Sequence, residues 1–117
     1  MGNERLETAV LDAAPLIHLN RIDSLNLLSI FNSLIIPKKV HEEISAGETP
    51  SELEKHEYEI VEAENREVFE KLDEGETSAL SIAQEMGDEI VFLTDDLDAR
   101  QKAKELGIEE HGSVGVI

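Results

Sequence analysis

Two strand-like runs in this chain each end on aspartate. Thr8-Ala-Val-Leu11 is followed by Asp12, and Glu89-Ile-Val-Phe-Leu-Thr94 is followed by Asp95 and Asp96. Short apolar runs of this kind are typical of strands buried in a parallel sheet. Because parallel strands end at the same edge of their sheet, these acids would meet at the carboxyl edge, where open α/β folds bind ligands. The pattern predicts a carboxylate site on a small α/β scaffold.

Helical and strand patterns alternate along the rest of the chain. Apolar spacing predicts helices from about Ala14, from Pro37 to Gly47, from Gly75 to Met86, and from Asp96 to Leu106 with Gly107 as the terminating residue. Further strands are predicted at Leu34–Ile36, at Tyr58–Val61 within a polar, solvent-facing region from Glu48 to Glu70, and at Gly112–Ile117. This alternation implies an α/β domain with a central parallel sheet and helices on both faces.

The charge of the chain limits the surfaces by which it could bind a partner. With 27 acidic and 10 basic residues, the net charge is −17, which excludes a broad basic surface for nucleic acid. The acids occur in every segment, which favours adaptation of the whole surface to a salt-rich, halophilic cytoplasm over one specific basic partner. No apolar run approaches the ~20 residues of a membrane span, and the N-terminus lacks a signal sequence. We expect a cytoplasmic protein without membrane contact.

Two glutamates have helical positions that suggest more than surface solvation. Glu76 shares an apolar stripe with Ala79 and Leu80, so it is either a site residue or a capping partner at the helix start. Glu43 lies at the flank of the apolar face of its helix, whereas the adjacent Glu42 points away from that face. The alternative for Glu43 is a salt bridge at the core boundary.

Acids gathered in this way suit a hard metal ion. Carboxylate oxygens are the ligands that Mg²⁺ and Mn²⁺ prefer, and repulsion between clustered carboxylates is relieved by a cation. The chain has no cysteine, and its four histidines show no ligand spacing. This donor set favours phosphate-ester chemistry over zinc chemistry.

Four segments carry a resemblance to a known family. They are Val10–Ile17, Ile36–Ile44, Leu72–Leu80 and Phe92–Arg100. In this order they resemble the four acidic motifs of PIN-domain ribonucleases, and their Gly-Glu and Thr-Asp-Asp forms look most like the VapC-like branch found in archaea and bacteria.

The resemblance implies a fold, an activity and a set of site residues. It implies a PIN-like three-layer α/β/α domain over residues 1–117 and Mg²⁺- or Mn²⁺-dependent cleavage of single-stranded RNA. The residues that it assigns to catalysis and metal binding are Asp12, Glu43, Glu76 and Asp96, with Asp95 as a fifth metal ligand. It also implies homodimers and, in the toxin members, a small antitoxin protein that blocks the site.

Two residues are predicted to support these acids. The Thr94 hydroxyl is placed to orient Asp96 or a water, with a simple strand-end role as the alternative. Arg100 lies four residues after Asp96 on the same helix face, where it would steady that carboxylate, contact a phosphate or form an ordinary ion pair.

The chain departs from the family pattern at two places. The family often has Ser or Thr two residues after the first aspartate, where this chain has Ala14. Many members of the branch also continue past the last strand with further helices, so a form lacking C-terminal helices is one expectation. Both departures keep a second function open, that of a catalytically inactive PIN-like binding or assembly module. A third class, a haloacid-dehalogenase-like phosphatase, normally has a second aspartate at the position of Ala14.

Overall fold

The computed structural model describes residues 8–47, 53, 56–63, 71–86 and 90–113. Its strands are β1 (Thr8–Leu11), β2 (Ser33–Pro37), β3 (Tyr58–Val61), β4 (Ile90–Leu93) and β5 (Glu109–His111). Its helices are α1 (Ala13–Arg21), α2 (Lys38–Gly47), α3 (Glu74–Met86) and α4 (Leu97–Glu105), and a short 3₁₀ helix covers Leu25–Ile30. The predicted alternation of strands and helices is confirmed.

The five strands form one sheet in the order β3-β2-β1-β4-β5, and each neighbouring pair is parallel. The two predicted acid-bearing strands, β1 and β4, are neighbours at its centre, with Val10 opposite Phe92. Both are buried on two sides, which explains why their sequences are continuous apolar runs.

Side-chain alternation along β1 divides the core into two layers. Ala9 and Leu11 pack with the apolar residues of α1, α2 and the 3₁₀ helix, whereas Val10 and Phe92 pack with those of α3 and α4. The sheet therefore lies between two helical layers, which confirms the three-layer α/β/α fold. No helix among the described residues combines the length and apolar composition that crossing a membrane requires.

One prediction about the sheet edges needs correction. The last strand was predicted at Gly112–Ile117, but β5 is Glu109–His111 and Ser113 already has helical backbone; residues 114–117 lie outside the described part. The predicted strand at Tyr58–Val61 is confirmed, and it pairs with β2 at the edge of the sheet. Most of the predicted polar region from Glu48 to Glu70 lies outside the described residues, as does Glu89.

Candidate active site

The strand order changes direction between β1 and β4, at the centre of the sheet. Asp12 follows β1 directly, and its backbone N–H donates to the carbonyl oxygen of Leu93, the last residue of β4, at 2.9 Å. The segment Thr94–Asp96 follows β4 at the same edge. Carboxyl ends of strands at such a switch point are where open α/β sheets bind ligands.

Asp12 is a buried carboxylate with donors on both oxygens. Only 5% of the residue is exposed, Oδ1 accepts the Ala13 N–H at 2.8 Å, and Oδ2 accepts the Thr94 hydroxyl at 2.8 Å. Burial raises the pKa of Asp12, these two hydrogen bonds oppose the rise, and the negative charges of Asp73 and Asp96 add to it. The carboxylate is thus held in place by hydrogen bonds, and the charges that act on it from the described residues are negative.

Thr94 connects the two central strand ends. Its fully buried hydroxyl donates to Asp12 and accepts the backbone N–H of Asp96 at 3.2 Å. The sequence predicted that this hydroxyl orients Asp96 or a metal-bound water. It does contact the backbone of Asp96, while its single proton is donated to the Asp12 carboxylate.

Asp96 caps α4 and also belongs to the acidic surroundings of Asp12. Its Oδ2 accepts the Ala99 N–H at 2.8 Å, as expected of an N-cap residue. Its negative charge contributes to the raised pKa of Asp12 and of Glu76.

The capping role that the sequence left open for Glu76 is present in the structure. Glu76 forms a capping box with Asp73, in which the Glu76 N–H donates to Asp73 Oδ1 at 2.8 Å and the Asp73 N–H donates to Glu76 Oε1 at 3.1 Å. Partial burial raises the pKa of Glu76 to about 7; the bond from the Asp73 N–H lowers it, and the charges of Asp73, Asp12 and Asp96 raise it further.

Asp73 is a member of this site that the sequence reasoning missed. Its charge raises the pKa of Asp12, Glu43 and Glu76, so it lies within electrostatic reach of all three. The available signal was the Asp-x-x-Glu spacing from Asp73 to Glu76, which is a capping-box pattern before an apolar helix.

Glu43 reaches the start of α3 because residue 75 is glycine. A Cβ atom at Gly75 would overlap Glu43 Oε1, so the carboxylate lies directly against the glycine backbone. Desolvation raises the pKa of Glu43, as do the charges of Asp73, Asp12 and Glu74, while Lys39 lowers it. We refer to Asp12, Glu43, Asp73, Glu76 and Asp96 as the acidic cluster.

Asp95 and Arg100 make their described contacts away from this cluster. The Asp95 carboxylate accepts hydrogen bonds from His18 and Ser113. Arg100 does not pair with Asp96, because its Nε lies 2.5 Å from Glu110 Oε1 on β5. The sequence did not predict Glu110 as the partner of Arg100, because β5 is polar and lacks the apolar pattern that predicts a strand.

The acidic cluster fits a hard divalent ion in composition. Within the described part of the chain, no three acidic or histidine side chains already form a group that could hold an ion. The donors are all carboxylate oxygens, however, and the pKa values of Asp12, Glu43 and Glu76 are raised by burial and, to a smaller extent, by neighbouring negative charges. A divalent cation would neutralise these charges, so the residues present fit Mg²⁺ or Mn²⁺ better than a softer metal.

An open depression adjoins the cluster beside Glu43. It is lined by Lys39, Glu42, Glu43, Asp73 and Glu74. The Lys39 ammonium lies 3.1 Å from Glu74 and 3.9 Å from Glu42, which places a positive charge at the rim of an otherwise acidic surface.

We expect Thr94→Val to lower the free energy of unfolding by about 1–3 kcal/mol at pH 7, because the buried Asp12 carboxylate loses a donor. Thr94→Ser keeps the hydroxyl and should be less destabilising. Urea unfolding at pH 7 and at pH 3 measures both. The difference in free energy of unfolding between Thr94→Ser and Thr94→Val should be smaller at pH 3, where Asp12 is protonated. An equal difference at both pH values would contradict the role of Thr94 as a donor to the Asp12 carboxylate.

Glu76→Gln tests the raised pKa of Glu76. The folded state holds the proton of the Glu76 carboxyl group more tightly than the unfolded state does. The stabilisation of the folded state that results is present below about pH 4.5 and is lost as pH rises through about 7. Gln keeps the capping bond but never ionises. Without divalent ions, the variant should exceed the wild type in stability at pH 8 by about 1 kcal/mol, allowing for solvent screening. Melting temperatures from pH 4 to pH 8 measure this, and Glu57→Gln at an exposed position controls for net charge.

Gly75→Ala should separate stability from metal binding. Alanine favours a helix over glycine by ~1 kcal/mol, but its methyl group would displace the Glu43 carboxylate. We expect an unchanged or raised melting temperature together with a smaller rise on addition of Mn²⁺. In a Glu43→Ala background, Gly75→Ala should have no further effect on the Mn²⁺ response; an additive loss would mean that Gly75 acts by another route.

The chain is similar to known proteins in both sequence and fold. A family profile described as a PIN domain matches residues 8–117. The fold is similar to that of a PilT N-terminus domain protein from the hyperthermophilic archaeon Sulfolobus solfataricus P2, with a TM-score of 0.75 and 20% sequence identity over 93% of this chain and 89% of that chain. No curated protein matches the chain significantly. PIN domains typically have nuclease activity and generally use divalent metals. The central parallel sheet and the residue 8–117 match together show that this chain belongs to the PIN-domain family.

Proposed function

We propose that this chain is a Mg²⁺- or Mn²⁺-dependent endoribonuclease that cleaves single-stranded RNA as the toxin of a toxin-antitoxin pair. The observation that carries the nuclease part is the Thr94 hydroxyl bond that holds Asp12 at the switch point of the sheet, with Glu43, Glu76 and Asp96 around it. The toxin role, with its small antitoxin and homodimer, rests on the resemblance to the VapC-like branch.

In the proposed reaction, Asp12, Glu43, Glu76 and Asp96 would hold one or two divalent ions. A bound ion of this kind lowers the pKa of water and stabilises charge on the leaving oxygen. Water attacks the phosphorus in line and gives up one proton, while the bond from phosphorus to the 3′ oxygen breaks and that oxygen takes up one proton. The products carry a 5′-phosphate and a 3′-hydroxyl.

The lack of a hydroxyl at Ala14 is less damaging than the sequence suggested. A supporting group for a metal ligand matters because it fixes the ligand's orientation. Here the Ala13 N–H and the Thr94 hydroxyl contact one Asp12 oxygen each, at 2.8 Å. These donors support an active enzyme over an inactive module.

The charge of −17 shapes how RNA would bind. Repulsion between the acidic surface and phosphate is long-ranged at low salt but is confined to ~3 Å at 1 M salt. Binding at the site would then depend on the metal ions and on local cations such as Lys39 at the rim. We therefore expect the activity to be most easily detected at high salt.

Asp12→Asn is the decisive variant. Asparagine keeps the size and capping ability of Asp12 but removes its charge. With unstructured RNA, Mn²⁺ and ~1 M salt, we expect at least ~100-fold slower cleavage, since loss of groups that only support a ligand already costs roughly 10–100-fold. Equal cleavage by wild type and variant would reject the proposal.

Adjacent glutamates provide a matched control. Glu43→Gln should reduce cleavage strongly, whereas Glu42→Gln should retain it. Both residues are exposed, but it is the Glu43 carboxylate that lies against Gly75 at the start of α3. Melting temperatures with Mn²⁺ distinguish the inactive module, because an intact site at 100-fold excess over Kd gains about 2.7 kcal/mol. Stabilisation by Mn²⁺ without cleavage would favour a binding module. If Mn²⁺ gave no stabilisation and there were no cleavage, a metal-dependent function would be rejected.

A further inference from the structure

The Asp95 carboxylate is held by groups from two distant parts of the chain. Its Oδ2 lies 2.6 Å from His18 Nδ1 on α1. Its Oδ1 accepts the Ser113 N–H at 2.6 Å, and the Ser113 hydroxyl lies 3.0 Å from Oδ2 and 3.2 Å from Oδ1. A carboxylate offers about four acceptor positions, so these contacts use most of its capacity.

The segment after β5 is shaped to meet this carboxylate. Ser113 is only 7% exposed, and an added Cβ at Gly112 would lie 2.7 Å from Asp95 Oδ1. Any larger residue at position 112 would push Asp95 away. Glycine therefore permits a contact that joins the end of the sheet to the segment between β4 and α4.

These contacts fasten α1 to the Thr94–Asp96 segment at a second point. Asp12, at the start of α1, accepts the Thr94 hydroxyl, and His18, six residues later, contacts Asp95. Six helical residues span about 9 Å, so two separated contacts resist rotation of the segment about either one. The segment carries both Thr94 and Asp96.

We propose that His18, Asp95 and Ser113 form a clamp that positions Thr94 and Asp96, and that Asp95 is a positioning residue and not a metal ligand. The catalytic part of this proposal rests on the proposed nuclease function. The two roles of Asp95 predict opposite effects of removing His18. If Asp95 belongs to a clamp, loss of His18 loosens the clamp and slows cleavage. If Asp95 is a metal ligand, loss of His18 releases it for the metal and leaves cleavage equal or faster.

The test compares His18→Ala with His18→Asn, whose amide nitrogen can occupy the position of Nδ1. His18 is half exposed, so neither change creates a buried cavity. The control is His111→Ala, because His111 is similarly exposed and also contacts a carboxylate, that of Glu109, outside the clamp. We expect His18→Ala to lower kcat about tenfold with little change in KM, and His18→Asn to restore most of it.

Amide hydrogen exchange gives a readout that does not depend on activity. The Asp96 N–H donates to the Thr94 hydroxyl, so loosening the clamp should accelerate its exchange at least severalfold in His18→Ala but not in His111→Ala. Unchanged exchange, or equal cleavage by His18→Ala and the wild type, would overturn the clamp. If the wild type neither binds Mn²⁺ nor cleaves RNA, the nuclease function and the catalytic part fail together, while exchange at Asp96 still decides whether the clamp orders the segment.

Discussion

A single buried hydroxyl joins the two halves of the acidic site. Thr94 donates to the Asp12 carboxylate and accepts from the Asp96 backbone, so the ends of β1 and β4 share one hydrogen-bonded unit. A carboxylate as buried as Asp12 is costly without donors, because desolvation disfavours its charge. Together with the Ala13 N–H, this contact fixes the orientation of the Asp12 carboxylate.

Three helices begin at the acidic cluster, and each begins beside one of its aspartates. Asp12 caps α1, Asp96 caps α4, and Asp73 forms the capping box of α3. Helix N-termini carry partial positive charge that favours nearby carboxylates by about 0.3–1 kcal/mol each. The pKa values of Asp12, Glu43 and Glu76 are nevertheless raised, first by burial and then by the charges of neighbouring acids. The same acids thus stabilise the helix starts and bring together carboxylates that a divalent cation would neutralise.

Much of the fold follows from local pattern. Continuous apolar runs predicted β1 and β4 because central parallel strands are buried on both faces, and their aspartates had to emerge at one edge. The polar strand β5 was placed too late in the chain because an edge strand needs backbone pairing on one side only. Its Glu-Glu-His sequence therefore carries no periodic signal. For the site, spacing predicted Glu76 near a helix start but did not distinguish capping from ligation. The structure shows the capping bond and a raised pKa for Glu76.

By itself, the sequence determined the alternation of strands and helices, since this depends on periodicity, and which acids follow the strands. Four motifs in order also carried the resemblance to the PIN-domain family, which the profile match confirms. Only the tertiary structure decided which neighbouring acids share the cluster. Asp96 joins it, whereas Asp95 turns to His18 and Ser113, and Asp73 enters through the start of α3. Adjacent residues in a turn differ little in sequence signal. Their side chains differ in partners because tertiary packing brings His18 and Ser113 to Asp95, whereas Asp96 accepts the Ala99 N–H as the N-cap of α4.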